Sequence, residues 1–216
     1  MIAAFALSFK LAALTALVLL LLGLPAAYYL VFYEFAGKRL LDAVLLLPLT
    51  LPPTVLGFYL LILLSPDGLL GRLGMRWAFS FWGIWLGSVI FSLPFALTAY
   101  KEAFRSIDAE VLDVVRTLGV PAPRRWRQVI LPWAWPGLLS GTMLAFAHTL
   151  GEFGVVLLVG GNIPGKTKVA SIYIFDLTQS LRFREAHITA AVFVLLSLLT
   201  IFAVRSLEDK WKSTTR

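Results

Sequence analysis

Three stretches of this chain, residues 11–33, 43–66 and 77–100, contain no charged side chain. As helices rising about 1.5 Å per residue, each is long enough to cross a hydrocarbon core of roughly 30 Å. A fourth apolar run, 128–151, is interrupted only by His148; it meets Glu152 and then continues to Gly165, and 188–204 forms a shorter fifth. The expectation is an all-α integral membrane protein, one domain over 1–216, with five spans near 11–33, 43–66, 77–100, 134–158 and 186–205. Composition agrees, because 59% hydrophobic and 14% charged residues, with a mean hydropathy of +0.86, leave too little polar surface for a water-soluble globule of 216 residues. A cleavable signal peptide is the alternative for the first run. Lys10 is the only positive charge before it, however, and no small-residue cleavage site follows.

The net charge of +7 has a place in this topology. Of the 19 Lys and Arg residues, two fall in 34–42, six in 101–127 and four in 205–216. The excess of positive charge on cytoplasmic segments puts those three inside, with the N-terminus outside and the C-terminus inside. The basic residues therefore give no reason to invoke nucleic acid. The chain has no cysteine, which excludes disulfides and thiolate metal sites.

The second span contains Pro48, Pro52 and Pro53, which remove backbone donors and kink or break a helix. Such a helix has to be buried in protein or line a cavity. Thr50 and Thr54, one turn apart beside the break, either satisfy freed carbonyls or face a pathway. Residues 65–77 form a Gly-rich external turn, Trp77, Trp82 and Trp85 suit an interfacial aromatic belt, and Pro94 is positioned to bend the third span.

The segment 101–132 is longer and more charged than any other inside loop. Val111, Leu112, Val114, Val115 and Leu118 follow helical spacing, opposite Glu110, Asp113, Arg116 and Thr117, which predicts an amphipathic helix. Asp108 and Glu110 suit its start and Gly119 its stop. Pro121 and Pro123 then force a corner before a second helix beginning near Arg124. By residue chemistry alone this is either a helix on the lipid surface, with Arg124, Arg125, Trp126 and Arg127 among anionic headgroups, or a docking element for another protein.

Gly119, the nine residues after it, and Val129-Ile130-Leu131-Pro132 resemble the EAA signature of bacterial ABC-importer permeases, with Asp113-Val114-Val115 at the EAA positions. LPLTLPPTVLGFYLL (47–61), HTLGEFGVVLLVGGNIPGKT (148–167) and VASIYIFD (169–176) look like the molybdate permeases of that class. GEFG is shared in similar form by sulfate permeases. The resemblance implies a type I importer bundle whose coupling helix seats in a cytoplasmic ATPase. The contact residues it implies are Asp108, Glu110, Asp113, Arg116, Thr117, Leu118, Gly119, Val120, Pro121 and Arg124. It further implies a second copy of the chain, two ATPase subunits that use ATP and magnesium, and an external substrate-binding protein. No cofactor is expected on this chain, and its location is the cytoplasmic membrane.

An ionisable residue within a span is costly, so Glu152 is a functional candidate, together with His148 one helical turn earlier. The pair is read as a polar clamp, a gate or relay, or an incomplete metal site. With Thr50, Pro52, Pro53 and Thr54 they are the candidates for the pathway and gate. Gly151 and Gly154 permit close helix packing. GGNIPGKT (160–167) matches the ATP-binding P-loop letter for letter, yet it follows a membrane span rather than a strand and lies on the outer side. It is read as an external turn in which Asn162 and Lys166 either meet an oxyanion or its carrier, or simply connect. An ion-coupled secondary transporter using Glu152 and His148 is the main alternative class. It is disfavoured by the few spans and lack of repeats, and a membrane enzyme by the lack of a nucleophile–base pair.

Overall fold

The structure, a computed structural model, describes residues 1–214. Its helices are α1 (Ile2–Phe32), α2 (Lys38–Leu46), α3 (Pro53–Leu64), α4 (Leu69–Arg72), α5 (Phe81–Arg105), α6 (Ala109–Thr117), α7 (Ala122–Leu150), α8 (Gly154–Gly160), α9 (Ala170–Gln179) and α10 (Phe183–Thr214). Among the described residues five stretches are long and apolar enough to span a membrane: α1, α3 with α4, α5, α7, and α10 as far as Phe202.

The observed ends differ from the charge-free runs for physical reasons. Helix α1 starts at Ile2 and carries Lys10 within it, where the ammonium group lies 4.7 Å from the centre of the Phe81 ring. The second run is not one helix. Helix α2 passes into a tight turn at Leu47–Leu49, the backbone is extended at Pro52 (φ −55°, ψ 136°), and α3 begins afresh at Pro53. Pro52 and Pro53 have no N–H to return to the preceding turn, whereas Pro at the first position of α3 costs nothing. The fourth run also divides, with α7 ending at Leu150 and α8 starting at Gly154.

Two wide turns, Leu19–Gly23 in α1 and Trp126–Ile130 in α7, each stand just before a proline, Pro25 and Pro132. A proline ring collides with the carbonyl four residues earlier, and one widened turn removes the collision without ending the helix.

Helix α5 is the central post. It packs on α1, α3, α7 and α8, and Gly83, Gly87, Ser88, Ser92 and Ala96 on its buried faces are small enough for that. The α5–α7 contact is close: a Cβ on Gly141 would fall 2.8 Å from both the Ala99 side chain and the Tyr100 ring. Tyr100 completes the seam with a 2.7 Å hydrogen bond between its hydroxyl and Thr142 Oγ1. By contrast α10 leaves Val194, Leu195, Leu198, Leu199 and Phe202 exposed, the composition of a surface solvated by acyl chains.

Candidate functional site

The two broken spans meet at their breaks. A Cβ on Gly154, the first residue of α8, would lie 2.9 Å from Pro53 Cβ, the first residue of α3. Gly57 repeats the close approach a turn later, against Val155 and Leu158. Of the two glycines predicted to allow tight packing, Gly154 does so; Gly151 has only carbonyls of its own preceding turn, at 3.8 Å and beyond.

The break in the second span satisfies itself locally. The Leu47 carbonyl accepts from the Thr50 and Leu51 amides, and Thr50 Oγ1 donates to it at 3.0 Å. The Pro52 carbonyl accepts from Val55 and Leu56 to open α3. Thr50, Pro52, Pro53 and Thr54 are all exposed on this chain. Thr50 thus has a structural partner, while Thr54 is exposed, as are Leu49, Phe58 and Tyr59 nearby in sequence.

His148 and Glu152 do not act on each other. His148 Nδ1 is 2.9 Å from Ser92 Oγ, which is 2.8 Å from Thr149 Oγ1, and the ring stacks on Phe95 with centroids 4.0 Å apart. Glu152 lies beyond the end of α7, so the helical spacing that would align the two side chains is lost. It is buried, at 4% exposure. Neither carboxyl oxygen makes a hydrogen bond within 3.5 Å among the described residues, and the Ser88 hydroxyl, likewise without one, is the polar group near enough to act on it. The Glu152 main chain is tied down, its carbonyl accepting from Ser171 Oγ at 2.6 Å.

In the loop 160–168 the P-loop likeness dissolves. Gly160 closes a helix, and the amides of Lys166, Thr167 and Lys168 all turn onto the Ile163 carbonyl rather than outward to an anion. Thr167, fully buried, donates to the Gly160 carbonyl at 2.7 Å and accepts from the Ile163 amide at 2.9 Å. Asn162, at a left-handed φ of 54°, donates to Asp176 Oδ1 at 2.8 Å, and Lys168 reaches Asp176 Oδ2 at 2.5 Å. Asn162 therefore ties the loop to α9. Lys166 is exposed and has no partner among the described residues. The sequence argument missed Thr167 and Asp176, although an isolated Asp in the apolar VASIYIFD segment was the available signal.

At the other end of the bundle, the loop between α5 and α7 folds as its residues dictate. Asp108 caps α6 by accepting from the Glu110 amide at 2.9 Å. At the far end the Gly119 amide donates to Arg116 O and the Val120 amide to Val115 O, with Gly119 at φ +70°: a Schellman stop, which favours glycine. The apolar residues of α6 divide between two faces, contrary to the simple amphipathic pattern. Leu112 is buried and Val111 and Val115 half-buried, whereas Val114 and Leu118, one turn apart, are 58% and 74% exposed. Asp108, Glu110, Asp113, Arg116, Thr117, Gly119, Pro121 and Arg124 are exposed as well, and Val120 is half-buried. Arg116 pairs with Asp113 at 3.0 Å, and Arg124 Nε donates to Gln128 at 2.9 Å. Trp126 is no headgroup anchor, since its ring packs edge-on to Tyr28 at 4.7 Å and against Phe104.

A five-span bundle with paired helix breaks and an exposed capped helix between its third and fourth spans is the architecture of a type I ABC-importer permease. The same fold is found in a bacterial ABC transporter that imports alginate, with a TM-score of 0.82, 16% identity and coverage of 97% of this chain and 79% of that one. It is found again in the inward-facing MetNI methionine ABC transporter, with a TM-score of 0.77, 14% identity and coverage of 98% and 95%. The chain belongs to the family of binding-protein-dependent transport system inner membrane components, matched over residues 1–212. It is 41% identical over 210 residues to the molybdenum transport system permease protein ModB of Azotobacter vinelandii, covering 95% of this chain and 93% of the relative. Against ModB of Escherichia coli K12 it is 38% identical, covering 81% and 78%. The sulfate transport system permease protein CysT of Salmonella typhimurium is 34% identical, covering 88% and 70%.

Proposed function

We propose that this chain is the permease of an ATP-driven molybdate importer. The observation that carries the cargo is the 41% identity to a molybdenum permease across nearly the full length of both chains. Sulfate is the second reading, favoured by the 34% identity to a sulfate permease, and tungstate shares molybdate's charge and tetrahedral shape.

In this reading two copies form the pathway about a two-fold axis, since five spans are few to enclose one and closed homodimers are the commonest assemblies. Two cytoplasmic ATPases engage the α6 loops, with Val114 and Leu118 offering an apolar surface among the exposed polar side chains of Asp108, Glu110, Asp113, Arg116, Thr117 and Arg124, and Gly119, Val120 and Pro121 forming the corner that follows. An external binding protein delivers the anion at the end carrying Met1 and the loop 160–168, and the N-terminus lies outside. ATP and magnesium act in the partner ATPase. Closure of the ATPases draws the two α6 loops together and tilts the spans as rigid bodies. Thr54, Pro52 and Pro53 face the partner copy, and Glu152 and His148 stand behind them as gate residues. Lys166 is the one cation in the 160–168 turn left without a partner to greet an anion or its carrier.

Uptake of labelled molybdate into vesicles holding this chain, its ATPase and its binding protein tests the reading. ATP-dependent uptake blocked by unlabelled tungstate but not by sulfate is expected. Uptake without ATP, dissipated by an uncoupler, would instead establish an ion-coupled carrier, and stronger competition by sulfate would change the cargo.

A further inference from the structure

Where α2 and α5 meet, at the end of the bundle that carries α6, they are joined by an ion pair. Lys101 sits one turn before the end of α5 with only 7% of its side chain exposed, and its Nζ donates to Asp42 Oδ1 of α2 at 2.5 Å. The other ion pairs among the described residues link positions within eight of each other in sequence. This pair joins positions 59 apart. Lys101 is also the one buried Lys or Arg among the described side chains. A buried ammonium carries a desolvation cost that an apolar side chain at the same place would avoid, so packing alone does not account for it.

The location supplies the account. Helix α5 continues through Ser106 and Ile107 into the Asp108 cap of α6. Helix α2 runs in the opposite sense into buried Pro48, which packs on α5, and then into the break at Pro52. Beneath α6, Leu112 joins Phe104, Ile107 and Ile130 in one apolar cluster, against which Leu45 of α2 also packs. The cluster under α6 therefore borders α2 as well as α5, but through apolar contact alone. Apolar contacts are non-directional and let one helix slide on another, whereas a hydrogen-bonded ion pair with its ammonium group buried and its carboxylate, 32% exposed, at the rim is directional and fixes their register.

We propose that the Asp42–Lys101 pair is a positioning joint that stays closed through the cycle and transmits displacement of the α6 loop to the proline-broken segment 47–53. The joint rests on the reading of the chain as an ATP-driven permease. Without it, α6 still engages the ATPase, but its movement is lost between α5 and α2 before it reaches the break.

The test measures uptake per ATP hydrolysed in vesicles containing the complete complex. The unmodified chain supplies the reference, and failure of that reference to transport would overturn the functional reading rather than the joint. Asp42→Asn and Lys101→Met, in complexes that purify with all subunits, are expected to keep ATPase activity while uptake per ATP falls about ten-fold. Exchanging the charges, Asp42→Lys with Lys101→Asp, should restore coupling. The chain has no native cysteine, so Asp42→Cys with Lys101→Cys adds a second arm. Reduced, that variant should be uncoupled; bridged by a short bis-methanethiosulfonate, it should be coupled again, because a joint needs a link and not a charge. Uptake and ATPase falling in proportion would reduce the pair to a fold-stabilising contact, and a bridged protein that fails to transport would show that the pair must open.

Discussion

Gly119 is required by its backbone angle and not by its surroundings. A Cβ there would touch nothing within 4 Å, yet φ is +70°. Gly119→Ala should therefore cost about 1–2 kcal/mol in the α6 stop through left-handed strain alone, read as lowered thermal stability of the assembled complex. Gly119→Glu adds charge and bulk on the exposed α6 surface, and we expect it to abolish transport while the chain still inserts in the membrane; normal uptake would remove α6 from the coupling path. Glu152 presents the opposite case, a buried side chain to which its surroundings give no hydrogen bond within 3.5 Å. An amide of the same shape fills the same space and cannot ionise there, so Glu152→Gln should hold or raise the melting temperature of the complex, whereas Glu152→Lys should prevent its assembly. A Gln variant that assembles fully but no longer transports would assign the carboxyl to the gate; one that transports normally would leave it a structural residue.

Among the elements, the α5–α7 seam is the least forgiving. Gly141→Leu places atoms where the Ala99 side chain and Tyr100 ring already stand, and overpacking of this kind costs about 1–3 kcal/mol or more. Gly151→Ala, with nothing nearer than 3.8 Å, should be silent in the same melting measurement. The sequence could not tell these two glycines apart, because proximity between α5 and α7 depends on which faces meet. What was legible was whatever is encoded locally: charge-free length for the spans, prolines for the broken second span, and Asp108 and Gly119 for the two ends of α6. Tertiary partners were not. Lys10 ends a charge-free run in sequence but not the helix, since its ammonium group finds the Phe81 ring. His148 and Glu152 share a spacing that implies contact, and the break at Gly151–Phe153 separates them. The helical pattern of α6 groups Val114 and Leu118 with Leu112, but only packing on Phe104 and Ile130 decides that Leu112 faces in and the other two face out.

At the scale of the whole molecule, the exposed apolar surface is of two kinds, and the difference assigns their neighbours. On α10, Val194, Leu195, Leu198, Leu199 and Phe202 are aliphatic or aromatic without polar interruption. The face formed by the break and α3 mixes Leu49, Phe58 and Tyr59 with the hydroxyl of Thr54 and the prolines. A hydroxyl and a helix break are costly against lipid and tolerable against protein or a water-filled path. The second face is therefore the one expected to meet the other copy, and a two-fold axis brings equivalent residues near each other. Because the chain lacks cysteine, single substitutions report on this directly. Thr54→Cys in the assembled complex should cross-link into a dimer under mild oxidation or with a short bis-thiol reagent, and Leu198→Cys should not. A membrane-impermeant thiol reagent should label Lys166→Cys from outside intact cells, and Arg127→Cys only after the membrane is opened. Efficient dimer formation through Leu198→Cys with none through Thr54→Cys would place the two-fold axis on α10, and the proline-broken segment would then face lipid or line nothing at all. That outcome would leave its self-satisfied carbonyls as the whole reason for Thr50 and would require the pathway to be sought elsewhere in the bundle.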